Sequence, residues 1–168
     1  MLYRLLLIIF SSAFFSVSCT SSHDLGTEKN PIKLFLIPGQ DARVLEDNGK
    51  KVAQFLHEKT GLAFDVKVPT SYIAVVEAFG SKKADIAIMN TFGYILAHEK
   101  YGAQAKLMGI HYGQRYYQGQ IITRKGHLKK LEDIDGKRFA FVDPASTSGF
   151  LMPAELLRKK NIKPKEFV

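Results

Sequence analysis

Residues 143–153 read DPASTSGFLMP, and this stretch decides the fold that we expect for the chain. The five residues before it, RFAFV at 138–142, have the β-branched and aromatic content of a short buried strand. The proline, the glycine and the three hydroxyl residues then predict a turn, and the helix-forming residues that follow predict a helix that Asn161 stops. Pro153 fits only the first turn of a helix, so we expect residues 148–150 to form an irregular first turn.

The three hydroxyl residues of this turn are Ser146, Thr147 and Ser148. A helix start leaves backbone N–H groups without partners and places the positive end of the helix dipole behind them. The turn therefore suits a tetrahedral oxyanion such as phosphate, phosphonate or sulfate, and Gly149 removes the side chain that would keep a ligand away from the backbone. The simpler alternative, that these hydroxyls are ordinary helix N-caps, stays open.

The composition indicates a globular protein. The chain has 168 residues, of which 46% are hydrophobic, and a formal net charge of +8. This length is sufficient for one ordinary domain or two small lobes. The basic residues are scattered among predicted helices and loops and form no dense run with interleaved aromatic residues. The charge is compatible with an acidic ligand, nucleic acid or an anionic membrane surface, but its scatter favours a solvated surface. The export signal described next argues against nucleic acid.

The amino terminus has the pattern of an export signal. Arg4 precedes an apolar run at 5–17, which has the length of a signal-peptide core and is too short to span a bilayer. We therefore predict a signal peptide at 1–18. Cys19, the single cysteine, follows small residues in a pattern that resembles the lipobox of bacterial lipoproteins, which implies a lipid anchor at Cys19. Ser16 stands where that pattern prefers leucine, so cleavage by the ordinary signal peptidase is the alternative.

After Cys19 the chain changes character. Residues 19–31 comprise the anchor cysteine and a polar stretch without apolar periodicity, which predicts a flexible tether. Strand and helix patterns then alternate. We predict strands at 33–37, 64–68, 85–89 and 105–110, with helices at about 41–59, 72–81 and 91–101. This alternation predicts a mainly parallel sheet covered by helices on both faces, with ligands beyond the carboxyl ends of the strands.

The pattern changes after His111. We predict an aromatic linker at 113–117, a strand at 118–124, a short helix at 128–134, and a loop entering another strand at 161–168. We place lobe 1 at 32–115 and lobe 2 at 116–168. The second lobe is smaller than an independent core usually requires, so we expect a truncated chain whose lobe 2 is incomplete.

Five motifs, in this order, resemble the PhnD-like family of phosphonate, phosphite and phosphate substrate-binding proteins of ABC importers. They are Tyr72 in TSYIAVVEAF, the DIAIM strand at 85–89, Tyr117 in YYQGQIITR, DIDGKRFAFVDP at 133–144 and STSGFLMP at 146–153. The resemblance extends from about residue 33 to the last residue. It implies an α/β, type 2 periplasmic-binding fold, in which two lobes with mainly parallel sheets flanked by helices enclose a ligand cleft.

The resemblance also implies roles for individual residues. Ser146, Thr147 and Ser148 would hold the oxyanion through their hydroxyl and N–H groups. Tyr72 and Tyr117 would close the cleft from the other side, each with a hydroxyl donor and a ring that excludes water. The alternative for each tyrosine is a half-buried packing residue.

Asn90 and Thr91 depart from the family pattern, which often has Gly-Pro or Gly-Asn there. Asn90 would either donate an amide N–H to the ligand or narrow the cleft with its side chain. Tyr94 matches a common family tyrosine, but packing is its default role. The predicted ligand-binding residues are therefore Tyr72, Asn90, Thr91, Tyr117, Ser146, Thr147, Ser148 and Gly149, with no metal and no cofactor.

These observations predict an exported, monomeric solute-binding protein, not an enzyme, that passes a small phosphorus oxyanion to a membrane permease and its ATPase. One alternative is an exported phosphate-ester or sulfate-ester hydrolase with Ser148 or Thr147 as nucleophile, which would need a base or a metal. Another is the ligand-sensing lobe of a signalling system. His57-Glu58 and His98-Glu99 lack the second histidine of a zinc-binding helix, and no nucleophile elbow or Walker loop is present.

Overall fold

The computed structural model describes residues 24–39 and 41–167, so the predicted signal peptide and Cys19 lie outside the described residues. Three parallel strands form the first sheet, in the order β2-β1-β3. They are β1 (Ile32–Leu36), β2 (Phe64–Lys67) and β3 (Ile86–Ile88). A second sheet pairs two short parallel strands, β4 (Arg138–Phe139) and β5 (Glu166–Phe167). In the part of the chain that is described, no helix has the length and apolarity needed to cross a bilayer.

Three α-helices accompany the first sheet: α1 (Ala42–Thr60), α2 (Tyr72–Gly80) and α3 (Thr91–Tyr101). The α1 helix begins where the sequence predicts, because Asp41 Oδ1 accepts the N–H groups of Arg43 and Val44 at 3.0 and 3.2 Å. The predicted bounds of these three strands and three helices all agree with the structure to within one residue. The alternating pattern therefore predicts this part of the fold correctly.

The similar segments HEKTG, at 57–61, and HEKYG, at 98–102, form equivalent helix ends. Gly61 and Gly102 have φ of 73° and 69°, and their N–H groups donate to the carbonyls of His57 and His98 at 2.7 and 2.8 Å. The Nδ1 atom of each histidine lies 2.9 or 2.8 Å from the carbonyl oxygen five residues further on. Because a carbonyl only accepts, Nδ1 carries the proton. These histidines close helices, and no group of three or more potential metal ligands occurs among the described residues.

The α1 helix packs closely against the first sheet at Gly49. A Cβ atom there would lie 2.6 Å from Val66 Cγ1 and 3.0 Å from Leu36 Cδ1. Gly49 is buried, whereas the apolar Val44 and Phe55 of the same helix are each 56% exposed. The absence of a side chain thus lets the helix backbone rest directly on β1 and β2.

Replacing Gly49 by alanine is expected to lower the free energy of unfolding by about 1–3 kcal/mol, as measured by chemical denaturation. The collision with Val66 outweighs the roughly 1 kcal/mol by which a helix favours alanine over glycine. Asn48→Ala is the matched control, since Asn48 is exposed on the same helix and the change should be neutral or stabilising. A stabilised Gly49→Ala variant would contradict the close approach.

The second part of the predicted tether belongs to the fold. In residues 24–31, the Gly26 N–H donates to the Asn30 carbonyl at 2.8 Å, and the Ala63 N–H donates to the Gly26 carbonyl at 2.7 Å. The first bond closes the turn, and the second attaches it to Ala63, just before β2. The tether prediction is therefore wrong for residues 24–31, because tertiary hydrogen bonds hold a stretch whose composition indicates only a loop.

Two predicted strands are wrong. Residues 105–110 and 118–124 have no regular secondary structure, and apolar side chains such as Leu107 and Ile122 are 95% and 85% exposed. Between them the described pairing is one isolated bridge, from His111 to Gln114. A strand needs a neighbouring strand to receive its backbone hydrogen bonds, and apolar composition does not supply one.

The second sheet has a small core of its own. Ile134, Leu157 and Ile162 are buried, with Phe139 and Phe141 packed against them. The predicted strand at 138–142 is shorter than expected, since β4 ends at Phe139, and the predicted helix at 128–134 is a 3₁₀ helix, Leu131–Ile134. The strand predicted near the carboxyl end is confirmed by β5.

Candidate functional site

The residues after β4 form the turn that the sequence predicts. A π-helical turn, Thr147–Leu151, continues directly into α4 (Met152–Lys159), which has Pro153 in its first turn. Ser146, 6% exposed, caps this turn because its Oγ accepts the Gly149 N–H at 3.1 Å. The irregular first turn is confirmed, and the N-cap role that was left open for the hydroxyls is the one that Ser146 performs.

Thr147 and Ser148 supply donors that the fold does not use. Neither backbone N–H has an acceptor among the described residues, and no hydrogen bond of those residues involves the Ser148 hydroxyl. Thr147 Oγ1 accepts the Phe92 N–H at 2.8 Å, so its hydroxyl hydrogen is left to donate elsewhere. Unpaired N–H groups at a helix start favour a bound anion.

Gly149 is required by the loop itself. A Cβ atom at this position would lie 2.5 Å from Val142 Cγ2, 2.7 Å from Val142 Cβ and 3.0 Å from Ser146 Oγ. The Gly149 carbonyl accepts the Val142 N–H at 3.1 Å, and its own N–H donates to Ser146. Glycine therefore lets the turn fold back onto the residues that follow β4.

Asp143 connects this loop to α2. Its Oδ2 accepts the Tyr72 N–H at 3.1 Å, and its Oδ1 accepts the Ala145 N–H at 2.8 Å. The carboxylate thus lies at the N-terminus of α2, where the helix dipole favours negative charge. Sequence reasoning assigned no role to Asp143. An aspartate directly before a proline and a helix start was the available signal, since such side chains often accept backbone N–H groups nearby.

Tyr72 is the first residue of α2 and is partly buried. Burial raises its pKa above the ordinary value, and the nearby Asp143 and Tyr117 raise it further. A phenol is protonated at neutral pH even at its ordinary pKa, so the Tyr72 hydroxyl has a hydrogen available to donate. Tyr117, the other tyrosine of the predicted site, is 58% exposed.

Asn90 and Thr91 begin α3. Asn90 is the N-cap, with Oδ1 accepting the Gly93 N–H at 2.7 Å, while Thr91 is the exposed first residue of the helix. The Asn90 Nδ2 atom is buried and has no hydrogen-bond partner among the described residues. Tyr94 contacts the His98 ring, with 5.8 Å between centroids, which agrees with a packing role.

One loop thus joins the predicted residues. Residues 143–148 supply acceptors to the first-turn N–H groups of both α2 and α3. Tyr72, Asn90 and Thr91 follow the carboxyl ends of β2 and β3 in the first sheet, and the three hydroxyl residues follow β4 in the second. The two bonds from the loop bring these segments together. Gly119, which sequence reasoning missed, also contacts this loop, since a Cβ there would lie 3.2 Å from Ser148 Cβ.

A cavity of about 910 Å³ lies elsewhere, at the β2 edge of the first sheet. Lys50, Lys82 and Lys83 contribute to its lining, as does Lys67, which pairs with Asp65 at 3.0 Å. None of the predicted ligand-binding residues lines it. The candidate site is therefore defined by its hydrogen-bond donors and not by this cavity.

Residues 34–168 match the model of a family described as ABC transporter, phosphonate, periplasmic substrate-binding protein. The chain belongs to this family. The phosphate-import protein PhnD of Mycolicibacterium smegmatis is 29% identical over 137 residues, which cover 78% of this chain and 42% of that protein. The phosphonates-binding periplasmic protein of Escherichia coli is 22% identical over 167 residues, covering 95% of this chain and 49% of that protein. The chain spans about half the length of these relatives.

Solved structures of phosphonate-binding proteins share the fold. The binding-protein component of an ABC phosphonate transporter from Pseudomonas aeruginosa has a TM-score of 0.63 at 19% identity, covering 82% of this chain and 50% of that one. PhnD1 from Prochlorococcus marinus, in complex with methylphosphonate, has a TM-score of 0.59 at 18% identity, covering 81% of this chain and 52% of that one. The predicted fold class and the resemblance to PhnD-like proteins are confirmed. These relatives are transport binding proteins, and the family is periplasmic.

Proposed function

We propose that this chain provides the solute-binding function of an ABC importer and binds a phosphorus oxyanion, which is a phosphonate, phosphite or phosphate. The observation that carries this proposal is a pair of N–H groups, at Thr147 and Ser148, that have no acceptor within the described ranges. They lie at a helix start beside the N-termini of α2 and α3. Helix N-termini and backbone N–H groups stabilise bound anions without a countercharge from a side chain.

Each predicted residue has a part in this site. The backbone N–H groups and hydroxyls of Thr147 and Ser148 donate to the anion, and Ser146 and Gly149 hold the turn in place. Tyr72 donates its phenol hydrogen to the anion, and the raised pKa of this phenol favours the protonated form. Tyr117 covers the ligand from the exposed side. Asn90 and Thr91 approach from the start of α3. In a site that excludes water, a ligand that leaves any of these donors unpaired is disfavoured.

We assign the two sheets to separate lobes, at about 32–115 and 116–168, with the ligand between them. The contacts from Asp143 to Tyr72 and from Thr147 to Phe92 would then join the lobes. We further propose an exported monomer, anchored to the membrane by a lipid at Cys19, which delivers its ligand to a permease and an ATPase. Binding in this scheme involves no covalent chemistry.

Isothermal titration with phosphate, phosphite, methylphosphonate and 2-aminoethylphosphonate tests the proposal. We expect saturable binding of at least one of these anions. Ser148→Ala should weaken that binding about tenfold, which corresponds to the loss of one hydrogen bond to a charged ligand. Ser81→Ala is the matched control, because Ser81 lies at the opposite end of α2 and bonds only to carbonyls of its own helix.

Absence of binding to all four anions would refute the proposed function. A turnover assay with chromogenic phosphate and sulfate esters separates it from the hydrolase alternative. Hydrolysis that disappears in the Ser148→Ala variant would favour the enzyme, since a binding protein has no nucleophile to lose.

A further inference from the structure

The Asn90 side chain has a donor that its capping role does not require. The Gly93 N–H donates to Asn90 Oδ1 at 2.7 Å. Because this N–H needs an acceptor, the oxygen of the Asn90 amide must face the helix, and the other branch of the amide is Nδ2. That nitrogen is buried and has no partner within the described part of the chain. Serine or aspartate would cap α3 equally well without leaving a buried N–H₂ group. Buried polar groups in native proteins are nearly always paired, so the unpaired amide points to a missing acceptor.

The unpaired amide lies where the hydroxyl loop meets α3. Phe92, two residues after Asn90, donates its N–H to Thr147 Oγ1 at 2.8 Å, so the loop and the cap occupy the same helix turn. The N–H groups of Thr147 and Ser148 are also unpaired among the described residues. The fold thus supplies free donors from two chain segments, the loop after β4 and the cap of α3.

An amide N–H₂ group donates hydrogen bonds and accepts none. Phosphate has an oxygen at each of its four vertices, whereas methylphosphonate and phosphite have a methyl group or a hydrogen at one. On the basis of the proposed function, we infer that Asn90 donates to a ligand oxygen and selects inorganic phosphate over methylphosphonate and phosphite. In this arrangement the loop and the tyrosines engage three of the oxygens and Asn90 faces the fourth vertex, so a methyl group or hydrogen at that vertex leaves the Asn90 donor unpaired. A site built to bond a polar group discriminates strongly against the analogue that lacks it.

Two substitutions distinguish the hydrogen-bond donor of Asn90 from its role as the N-cap of α3. Asn90→Ser retains an acceptor for Gly93 and removes the donor, and Asn90→Asp retains the acceptor and places a negative charge beside the anion. Both variants should melt within a few degrees of the unaltered protein, because serine, aspartate and asparagine are similar caps. Calorimetry with inorganic phosphate and with methylphosphonate then measures the effect on each ligand.

We expect the unaltered protein to bind phosphate at least about tenfold more tightly than methylphosphonate. Asn90→Ser should weaken phosphate binding about tenfold and methylphosphonate binding by less than about threefold, and Asn90→Asp should weaken phosphate binding about a hundredfold or more. In a nitrogen-correlated NMR spectrum, the Asn90 side-chain N–H₂ resonances should shift when phosphate is added.

The outcomes distinguish this inference from the proposed function. If Asn90→Ser weakens the binding of both anions equally, or the binding of neither, the inference is overturned and the proposed function stands. The same holds if the unaltered protein binds methylphosphonate more tightly than phosphate. If the unaltered protein binds neither anion nor any other phosphorus oxyanion, both are overturned. Binding losses that accompany a large fall in melting temperature in both variants would assign Asn90 a structural role only and overturn the selectivity.

Discussion

Replacing Asp143 by alanine is expected to lower the free energy of unfolding by about 3 kcal/mol. The carboxylate accepts the N–H groups of Tyr72 and Ala145 at 3.1 and 2.8 Å, and hydrogen bonds to a charged group contribute roughly 1.5–3 kcal/mol each. The substitution also removes a negative charge from the N-terminus of α2, where it is favourable. Because one of these bonds joins the loop to α2, oxyanion binding should weaken as well.

Urea denaturation measures this loss, and amide hydrogen exchange locates it. The Tyr72 N–H should exchange faster in the Asp143→Ala variant. Asp135→Ala is the matched control, since Asp135 Oδ1 accepts a single backbone N–H, from Lys163 at 2.8 Å, on the side of the second sheet. Its loss should lower the free energy of unfolding by about 1.5 kcal/mol, half of the effect at Asp143, and leave the Tyr72 amide protected. Equal losses in the two variants, with unchanged Tyr72 exchange, would show that Asp143 does not connect the loop to α2.

The second large effect is expected at Gly149, where alanine should weaken oxyanion binding by about a hundredfold or more. The new Cβ would lie 2.5 and 2.7 Å from two carbon atoms of Val142, distances that neither side can accommodate without moving the turn. Overpacking of this kind typically costs 1–3 kcal/mol, and here the displaced residues are those that carry the ligand donors. Even a displacement of about 1 Å in a site of directed hydrogen bonds has a large effect.

Val142→Gly provides the control, because it removes both carbon atoms that the new Cβ would meet. The double variant Val142→Gly/Gly149→Ala should bind the oxyanion more tightly than Gly149→Ala alone, by about tenfold. Only the contact with Ser146 Oγ at 3.0 Å remains in the double variant. Calorimetric titration compares the four proteins. If Gly149→Ala binds like the unaltered protein, the turn is not packed against Val142 as described.

The sequence was most informative where local chemistry decides the structure. Asp41 and Gly61 are the start and stop signals of α1, and both act as caps through bonds within a few residues. The strands and helices of the first sheet follow from the same kind of signal. The failures at 105–110 and 118–124 have the opposite cause, because a strand depends on a partner that the segment's own composition does not contain.

The candidate site was predicted as a set of residues but not as a set of contacts. Three adjacent hydroxyls suggested one shared role, and the structure gives Ser146 a cap, Thr147 a bond to Phe92 and Ser148 no partner among the described residues. The Thr147 bond spans 55 positions, so no spacing rule indicates it. The same limit applies to Asp143, whose bond to Tyr72 spans 71 positions.

The loop at 143–148 is attached to the first turns of both α2 and α3 and also carries the donors of the proposed oxyanion site. Any movement that carries this loop away from the first sheet would therefore break both attachments and dismantle the binding site in the same step. Separation of the loop from the first sheet and release of the ligand would then occur in the same conformational change. If the proposed permease moved α2 or α3 away from this loop, it would release the ligand without contacting it.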